Sequence, residues 1–251
     1  YLKQLWGVFR KVLTFNLGSS YVGHEDIATA IGRKFPVTLQ IGIASMAIAV
    51  FIAMPAGIIS AMRQYSGWDY GLMLVALLGL SVPNFWLGLI LILEFAINLK
   101  WLPATYKVGN LLTIIMPAFV VGTGMSASLA RMTRSSMLEV ARQDYVVMAR
   151  AKGLSENKVV MRHILKNALL PIITVFGMQF AATLSGAATT EKVFNIKGMC
   201  EYISSRTLLP DTPVVIGGVI YIALAISISN LVIDLFYTFI DPRLKTRLEN
   251  Y

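Results

Sequence analysis

Five stretches of this chain contain no Asp, Glu, Lys or Arg: 35–62, 70–93, 108–130, 167–190 and 212–233. Crossing the hydrocarbon of a bilayer as a helix takes roughly 20 apolar residues, at about 1.5 Å of rise each, so every stretch is long enough to span. Helices of a soluble protein keep a polar side for water and rarely stay charge-free for that distance. Composition agrees, since only 14% of the residues are charged where an ordinary soluble domain carries about 25%. The expected fold class is all-α: a polytopic helical integral membrane protein with five transmembrane helices.

The charges that remain are clumped between the tracts. Residues 131–166 hold eight Lys or Arg (Arg131, Arg134, Arg142, Arg150, Lys152, Lys158, Arg162, Lys166) against Glu139, Asp144 and Glu156. Short loops rich in Lys and Arg stay on the cytoplasmic side, so this loop is expected there. With five spans the carboxyl tail, carrying Arg243, Lys245 and Arg247, is then cytoplasmic too, and the amino terminus lies outside. Concentration in one loop carries this assignment, because positive charge over all the loops divides almost evenly, twelve against ten.

The net charge of +9 belongs to this topology rather than to nucleic acid, whose readers set basic residues and stacking aromatics on a soluble module. A single cysteine, Cys200, rules out an internal disulfide and cannot make a metal site alone. No P-loop sequence is present to hold ATP, and His24 and His163 lack metal-ligand spacing. No cofactor and no metal are expected, and no enzymatic chemistry.

Ahead of the first tract, Leu2, Leu5, Trp6, Phe9, Val12 and Leu13 recur at helical spacing among Lys3, Arg10 and Lys11, an amphipathic helix suited to a membrane surface. A short polar helix is expected over 25–34, which gives an external segment 1–34, a membrane domain 35–240 and a tail 241–251. The chain starts at Tyr1 with no signal sequence, and it is read as lacking whatever first inserts its amino end.

The loop 131–167 does not read as a loop. Met137, Val140, Ala141, Tyr145, Met148 and Ala149 follow helical spacing through Lys152. Gly153 then stops the helix, Ser155 can cap the next, and Glu156 and Asn157 open a second one running through Val159, Val160, Ile164 and Leu165 toward Pro171. A helix, a glycine turn and a helix make a rigid element at the membrane face. It suits a docking lever for a soluble partner, with Leu154 as an exposed apolar contact beside Arg150 and Lys152, and equally a hairpin lying on anionic lipid.

Two acidic residues fall inside or beside apolar tracts, Glu94 and Asp234, and an ionisable group there suggests function. Glu94 is about 9 Å along a helix from Lys100, and Asn230 shares a helical face with Asp234. Both acids are therefore expected to reach an interface or bond a neighbouring helix, with an ion-coupled secondary transporter or channel using Glu94 and Asp234 as the alternative. A scaffold that merely recruits a soluble ATPase is a third reading.

ARAKGLS (149–155) followed by RHILKNALLP (162–171) resembles the signature loop of ABC importer permeases, in the dipeptide, oligopeptide and nickel branch. Val147 and Met148 stand where the wider superfamily has Glu and Ala, and Leu170–Pro171 falls further downstream, departures that resemble the peptide branch. NLGSSY (16–21), LSVPNFWLG (80–88), EKVF (191–194) and NLVIDLFYTFIDPR (230–243) resemble further segments of that branch, with Asn16 in place of Asp and Lys197 where Pro is usual. The resemblance implies a six-span type I permease whose first span is absent here. It further implies pairing with a second homologous permease subunit, two cytoplasmic ATP-binding subunits and an external solute-binding protein in the inner membrane. Ala149, Arg150, Lys152, Gly153, Leu154 and Ser155 would form the coupling element seated on an ATPase, and a peptide path and a nickel path read alike.

Overall fold

The structure, a computed structural model, describes residues 17–209 and 211–240, and the amphipathic segment and carboxyl tail expected from the sequence lie outside them. Helix α1 covers Ile27–Met62, α2 Gly67–Ser81, α3 Asn84–Asn98, α4 Leu112–Ala141, α5 Asp144–Ala151, α6 Glu156–Gly186, α7 Ala188–Val193, α8 Met199–Thr207 and α9 Thr212–Ile240. Four of these, α1, α4, α6 and α9, are long and apolar enough to cross a membrane. Among the described residues no strand forms, only an isolated bridge between Ser19 and Asp26.

The tract expected as the second span is a bent pair: α2 and α3 pass the same test together but turn by 96° between them. Pro83 explains the break. It cannot donate a backbone bond and forces the residue before it out of the helical region, and Val82 sits at φ −78°, ψ 123°. The short polar helix expected over 25–34 as a lead into the first span is the opening of α1 itself, which starts at Ile27 and runs on unbroken to Met62. Pro36 is tolerated ten residues into α1: the carbonyl its ring displaces is that of Gly32, which has no side chain and is exposed.

The chain forms two compact units. The first gathers the described part of Tyr1–Ala44 with Asn84–Ala118 and Ala181–Ile228. Its apolar centre is Ile27, Ala30 and Ile31 of α1 against Ala187, Met199, Cys200, Tyr202, Ile203 and Val214, all buried. A fully buried carboxylate, Glu191 at the end of α7, ties this unit together. Its Oε1 accepts from Thr38 Oγ1 of α1 at 2.6 Å, and its Oε2 accepts from the Glu201 backbone N–H of α8 at 2.6 Å. Thr38 Oγ1 in turn accepts from the Met199 N–H at 2.9 Å. Two of the N–H groups that α8 leaves without helical partners are thus met from outside the helix, that of Met199 by the Thr38 hydroxyl and that of Glu201 by an acid placed at the favourable end of the helix dipole. Gly198 has to be glycine here, since a Cβ would overlap the Glu191 carboxylate. Burial pushes the Glu191 carboxyl up, and Thr38 and the backbone donors work against that rise.

Asp211 anchors the segment ahead of α1. It accepts from Ser20 Oγ at 2.6 Å and the Tyr21 N–H at 3.0 Å, and pairs with Arg206 at 3.7 Å. Burial opposes its ionisation, yet these donors outweigh it and hold the carboxyl below its ordinary range.

The second unit gathers Ser45–Pro83, Phe119–Phe180 and the described part of Ser229–Tyr251. Ala53 of α1, Leu129, Ala130 and Met137 of α4, Val146 and Ala149 of α5, and Val159, Val160, Ile164, Ala168 and Ile172 of α6 form one buried cluster.

Cys200 is 3% exposed, its thiol lies 3.1 Å from the Leu184 carbonyl oxygen, and burial followed by the charge of Glu191 pushes it up to about 12. At neutral pH it should resist maleimide until the first unit opens. Glu191→Ala leaves the Glu201 N–H and the Thr38 hydroxyl without their acceptor, a loss of about 1–3 kcal/mol. Thermal unfolding in detergent, followed by Cys200 labelling, is expected to shift to lower temperature in that variant, and an unchanged midpoint would show that Glu191 does not hold the unit.

Candidate coupling surface

The helix expected to run from Met137 to Lys152 is interrupted. α4 carries its regular bonding to Ala141, where the Arg142 N–H reaches Glu139 at 3.3 Å and the Gln143 N–H reaches Val140 at 3.1 Å, a tightening last turn. Gln143 then goes extended at φ −75°, ψ 144°, and its carbonyl starts α5 by accepting from the Val146 and Val147 N–H groups at 2.9 and 3.2 Å. Asp144 fills the first turn of α5 and Arg150 the last, each sign at the end the helix dipole favours.

This break resets which side of the helix faces the core. Val146 and Ala149, three apart, are buried in the cluster of the second unit. Tyr145, Val147 and Met148 are exposed at 45%, 56% and 60%, with Arg150 and Lys152 also outward. Two expectations are corrected here. Ala149 is not on the surface, and Leu154 is not an exposed contact but half-buried against the same cluster, because the glycine turn folds it back. The outward apolar group is Tyr145, Val147 and Met148, which sequence periodicity missed by carrying one helical phase across Gln143. The usable signal was Asp144, an acid suited to a first turn.

Gly153 sits at φ +77°, the left-handed region where a side chain is penalised, and its N–H closes on the Arg150 carbonyl at 2.9 Å. Across this turn Arg150 grips Glu156 with two bonds, Nη2 to Oε1 at 2.7 Å and Nε to Oε2 at 3.2 Å. Both side chains are about half exposed, so the pair fixes geometry more than it adds stability. Ser155 starts α6 through its carbonyl, which accepts from the Lys158 and Val159 N–H groups at 2.9 and 3.0 Å, while its hydroxyl makes no capping bond. The first part of α6 widens into a π-helical stretch over Val159–Leu165, which turns Val159, Val160 and Ile164 inward. Asn167 donates to the His163 carbonyl at 2.7 Å and contacts the Tyr145 hydroxyl, so α5 is tied to α6 at its amino end as well. Burial pushes the Tyr145 phenol up, against that bond.

The two intramembrane acids fall in different places. Glu94 lies in the π-helical stretch Ile92–Asn98 of the first unit, exposed, with Asn98 donating to its Oε2 at 3.3 Å. Asn230 and Asp234 are exposed positions of α9 in the second unit. Among the described residues no group of three or more His, Cys, Asp or Glu could hold a metal ion.

What stands out is therefore a two-turn helix and a glycine turn, welded by one side into a helical core and presenting three apolar and two basic side chains on the other. Residues 53–246, which include all of it, match the family model of the binding-protein-dependent transport system inner membrane component. The chain belongs to this family. It is 38% identical over 237 residues to the dipeptide transport system permease protein DppB of Bacillus subtilis (strain 168), covering 94% of this chain and 77% of that one. It is likewise 38% identical over 257 residues to the di/tripeptide transport system permease protein DppB of Pseudomonas aeruginosa (strain UCBPP-PA14), covering 92% and 76%. Among solved structures, a chain of the MetNI methionine ABC transporter in inward-facing conformations superposes with a TM-score of 0.71 at 14% identity, covering 86% of this chain and 99% of that one. An amino acid ABC transporter chain gives 0.64, also at 14% identity, with 83% and 93% covered. The permease resemblance read from ARAKGLS and the other segments stands, and the fold is that of an ABC importer permease.

In this permease the turn depends on the left-handed backbone at Gly153. Gly153→Ala forces a Cβ into it, at about 1–2 kcal/mol. Faster hydrogen exchange at the α5–α6 turn, with little change in the global unfolding midpoint, is the expected outcome, and unaltered exchange there would show that the turn carries no strain.

Proposed function

We propose that the chain is one of two permease subunits of an ATP-driven importer and forms half of a path for di- or oligopeptides or a related small solute. In this reading ATP is hydrolysed by separate cytoplasmic subunits, one of which seats α5 and the Gly153 turn, and an external solute-binding protein delivers the substrate. The observation that carries it is the two-sided character of α5: Val146 and Ala149 sunk in the core of the second unit, and Tyr145, Val147 and Met148 left exposed. A helix anchored by one side moves with what it is anchored to, which is what a lever requires. Its bare apolar side has the makeup of an interface centre, ringed by Arg150 and Lys152.

The positive charge gathered in 131–166 supports the cytoplasmic side for this element in the inner membrane, with the segment ahead of α1 outside and the carboxyl tail inside. The peptide substrate rests on the names of the relatives and on Val147 and Met148, which replace the Glu and Ala of the wider superfamily. Arg150, Lys152, Gly153 and Ser155 border the contact or shape it, while Ala149 and Leu154 support it from beneath. Glu94, Asn230 and Asp234 are read as polar helix positions without an ion-coupling task.

The test is the complete complex in proteoliposomes, with labelled di-, tri- and pentapeptides outside and ATP inside. Val147→Asp with Met148→Asp is expected to lower uptake about tenfold or more, the usual effect of burying charge at an interface centre, whereas Asp234→Asn leaves it. Uptake without ATP, or full uptake by the double variant, would overturn the proposal. Orientation has its own readout: because Cys200 is buried, a cysteine placed at Lys152 should react with an impermeant maleimide only from the cytoplasmic face.

A further inference from the structure

A third buried carboxylate has no place in the function so far. Asp69, in the first turn of α2, is 1% exposed and meets Arg134 of α4 in a two-point pair, Nε to Oδ1 and Nη2 to Oδ2, both at 2.7 Å. The same carboxylate accepts from Ser60 Oγ near the end of α1 and from the Tyr65 N–H, at 3.0 Å, in the connecting turn. Tyr65 is held at φ +63°, a left-handed backbone that a non-glycine residue adopts only under constraint. One anion therefore pins the ends of α1 and α2, the strained turn between them, and α4.

Its position gives it a task. Arg134 lies between Ala130 and Met137 of α4, both buried in the cluster that α4 shares with Val146 and Ala149 of α5. On the other side Asp69 opens α2, the first limb of the bent span, whose carboxyl end is the Val82–Pro83 break. Apolar contacts such as Met73 against the cluster can slide. A fork of two parallel charge-assisted bonds cannot slide or rotate without breaking, and breaking it strands a buried charge.

We propose that the Asp69–Arg134 pair is the joint through which displacement of α5 is passed from α4 into α2, making both residues positioning residues for transport. This rests on the reading of α5 as the coupling surface. Apolar packing alone would hold α1, α2 and α4 together, but it would not make them turn in register when α5 is pushed.

The experiment compares Asp69→Asn and Arg134→Lys in the complete complex, reading peptide taken up per ATP hydrolysed, with the amount of assembled complex measured alongside. Arg134→Lys keeps the charge beside Asp69 and loses the fork, so it remains informative where Asp69→Asn fails to fold. The expected result is normal assembly and continued ATP hydrolysis, with uptake per ATP reduced about threefold or more. A wild-type ratio in an assembled Arg134→Lys complex overturns the joint, and so does a fall in assembled complex with the ratio unchanged, which marks a purely structural pair. Val147→Asp with Met148→Asp runs in parallel. If it lowers uptake while Arg134→Lys keeps its ratio, the coupling surface survives and the joint does not; if it changes nothing, both fall.

Discussion

A charge in hydrocarbon has no water to solvate it, and that single constraint shapes every part of this permease. It leaves five tracts free of Asp, Glu, Lys and Arg and, Glu94 and Asp234 apart, gathers those residues toward the helix ends. There, where polar groups are allowed but space is short, buried carboxylates fasten the helices to one another. Glu191 does this in the first unit and Asp69 in the second, each by accepting from more than one element. Lipid supplies little hydrophobic drive to press helices together, so directional bonds at their ends fix register in a way that apolar contact does not.

How much of this could be read from residues follows from how local each cause is. Four of the charge-free tracts, the glycine stop at 153 and the inward set Val159, Val160 and Ile164 depend on one stretch of chain each, and these are found where expected. The bend at Pro83 was legible in principle, since a pre-proline residue resists the helix, but a proline inside an apolar tract does not announce whether it will kink or break. The phase of α5 was not legible, because one extended residue at Gln143 rotates everything after it. Helical spacing over Val140, Ala141 and Tyr145 is continuous in sequence and interrupted in space by extended Gln143.

The partners of the buried acids were out of reach for another reason. Asp69 meets an arginine 65 residues away and Glu191 a threonine 153 residues away. Nothing near either acid in sequence marks it as a core residue. Asp69 reads as an ordinary helix-start acid after Ser66, which caps it at 3.3 Å, and Glu191 as one more polar residue at a loop. The acids that did draw attention, Glu94 and Asp234, did so through apolar neighbours in sequence, yet both are exposed.

A lever needs stiffness on the side that receives force and a surface that can be let go on the other. α5 meets both needs with eight residues. Its inward pair sits in a cluster built from four helices, the Arg150–Glu156 grip and the Tyr145–Asn167 contact brace its two ends, and Gly153 sets the turn without a side chain to strain it. Its outward side chains are two unbranched or small apolar groups and a tyrosine, suited to a contact that forms and breaks, since burying them gains enough to dock while their modest area does not lock the partner in place. Had Leu154 been the exposed contact, the force would have entered at the turn itself, where the backbone is held by one glycine. In the proposed coupling, force would enter instead along a helix seated in the core, so that a push on Met148 would displace α4 and α6 together.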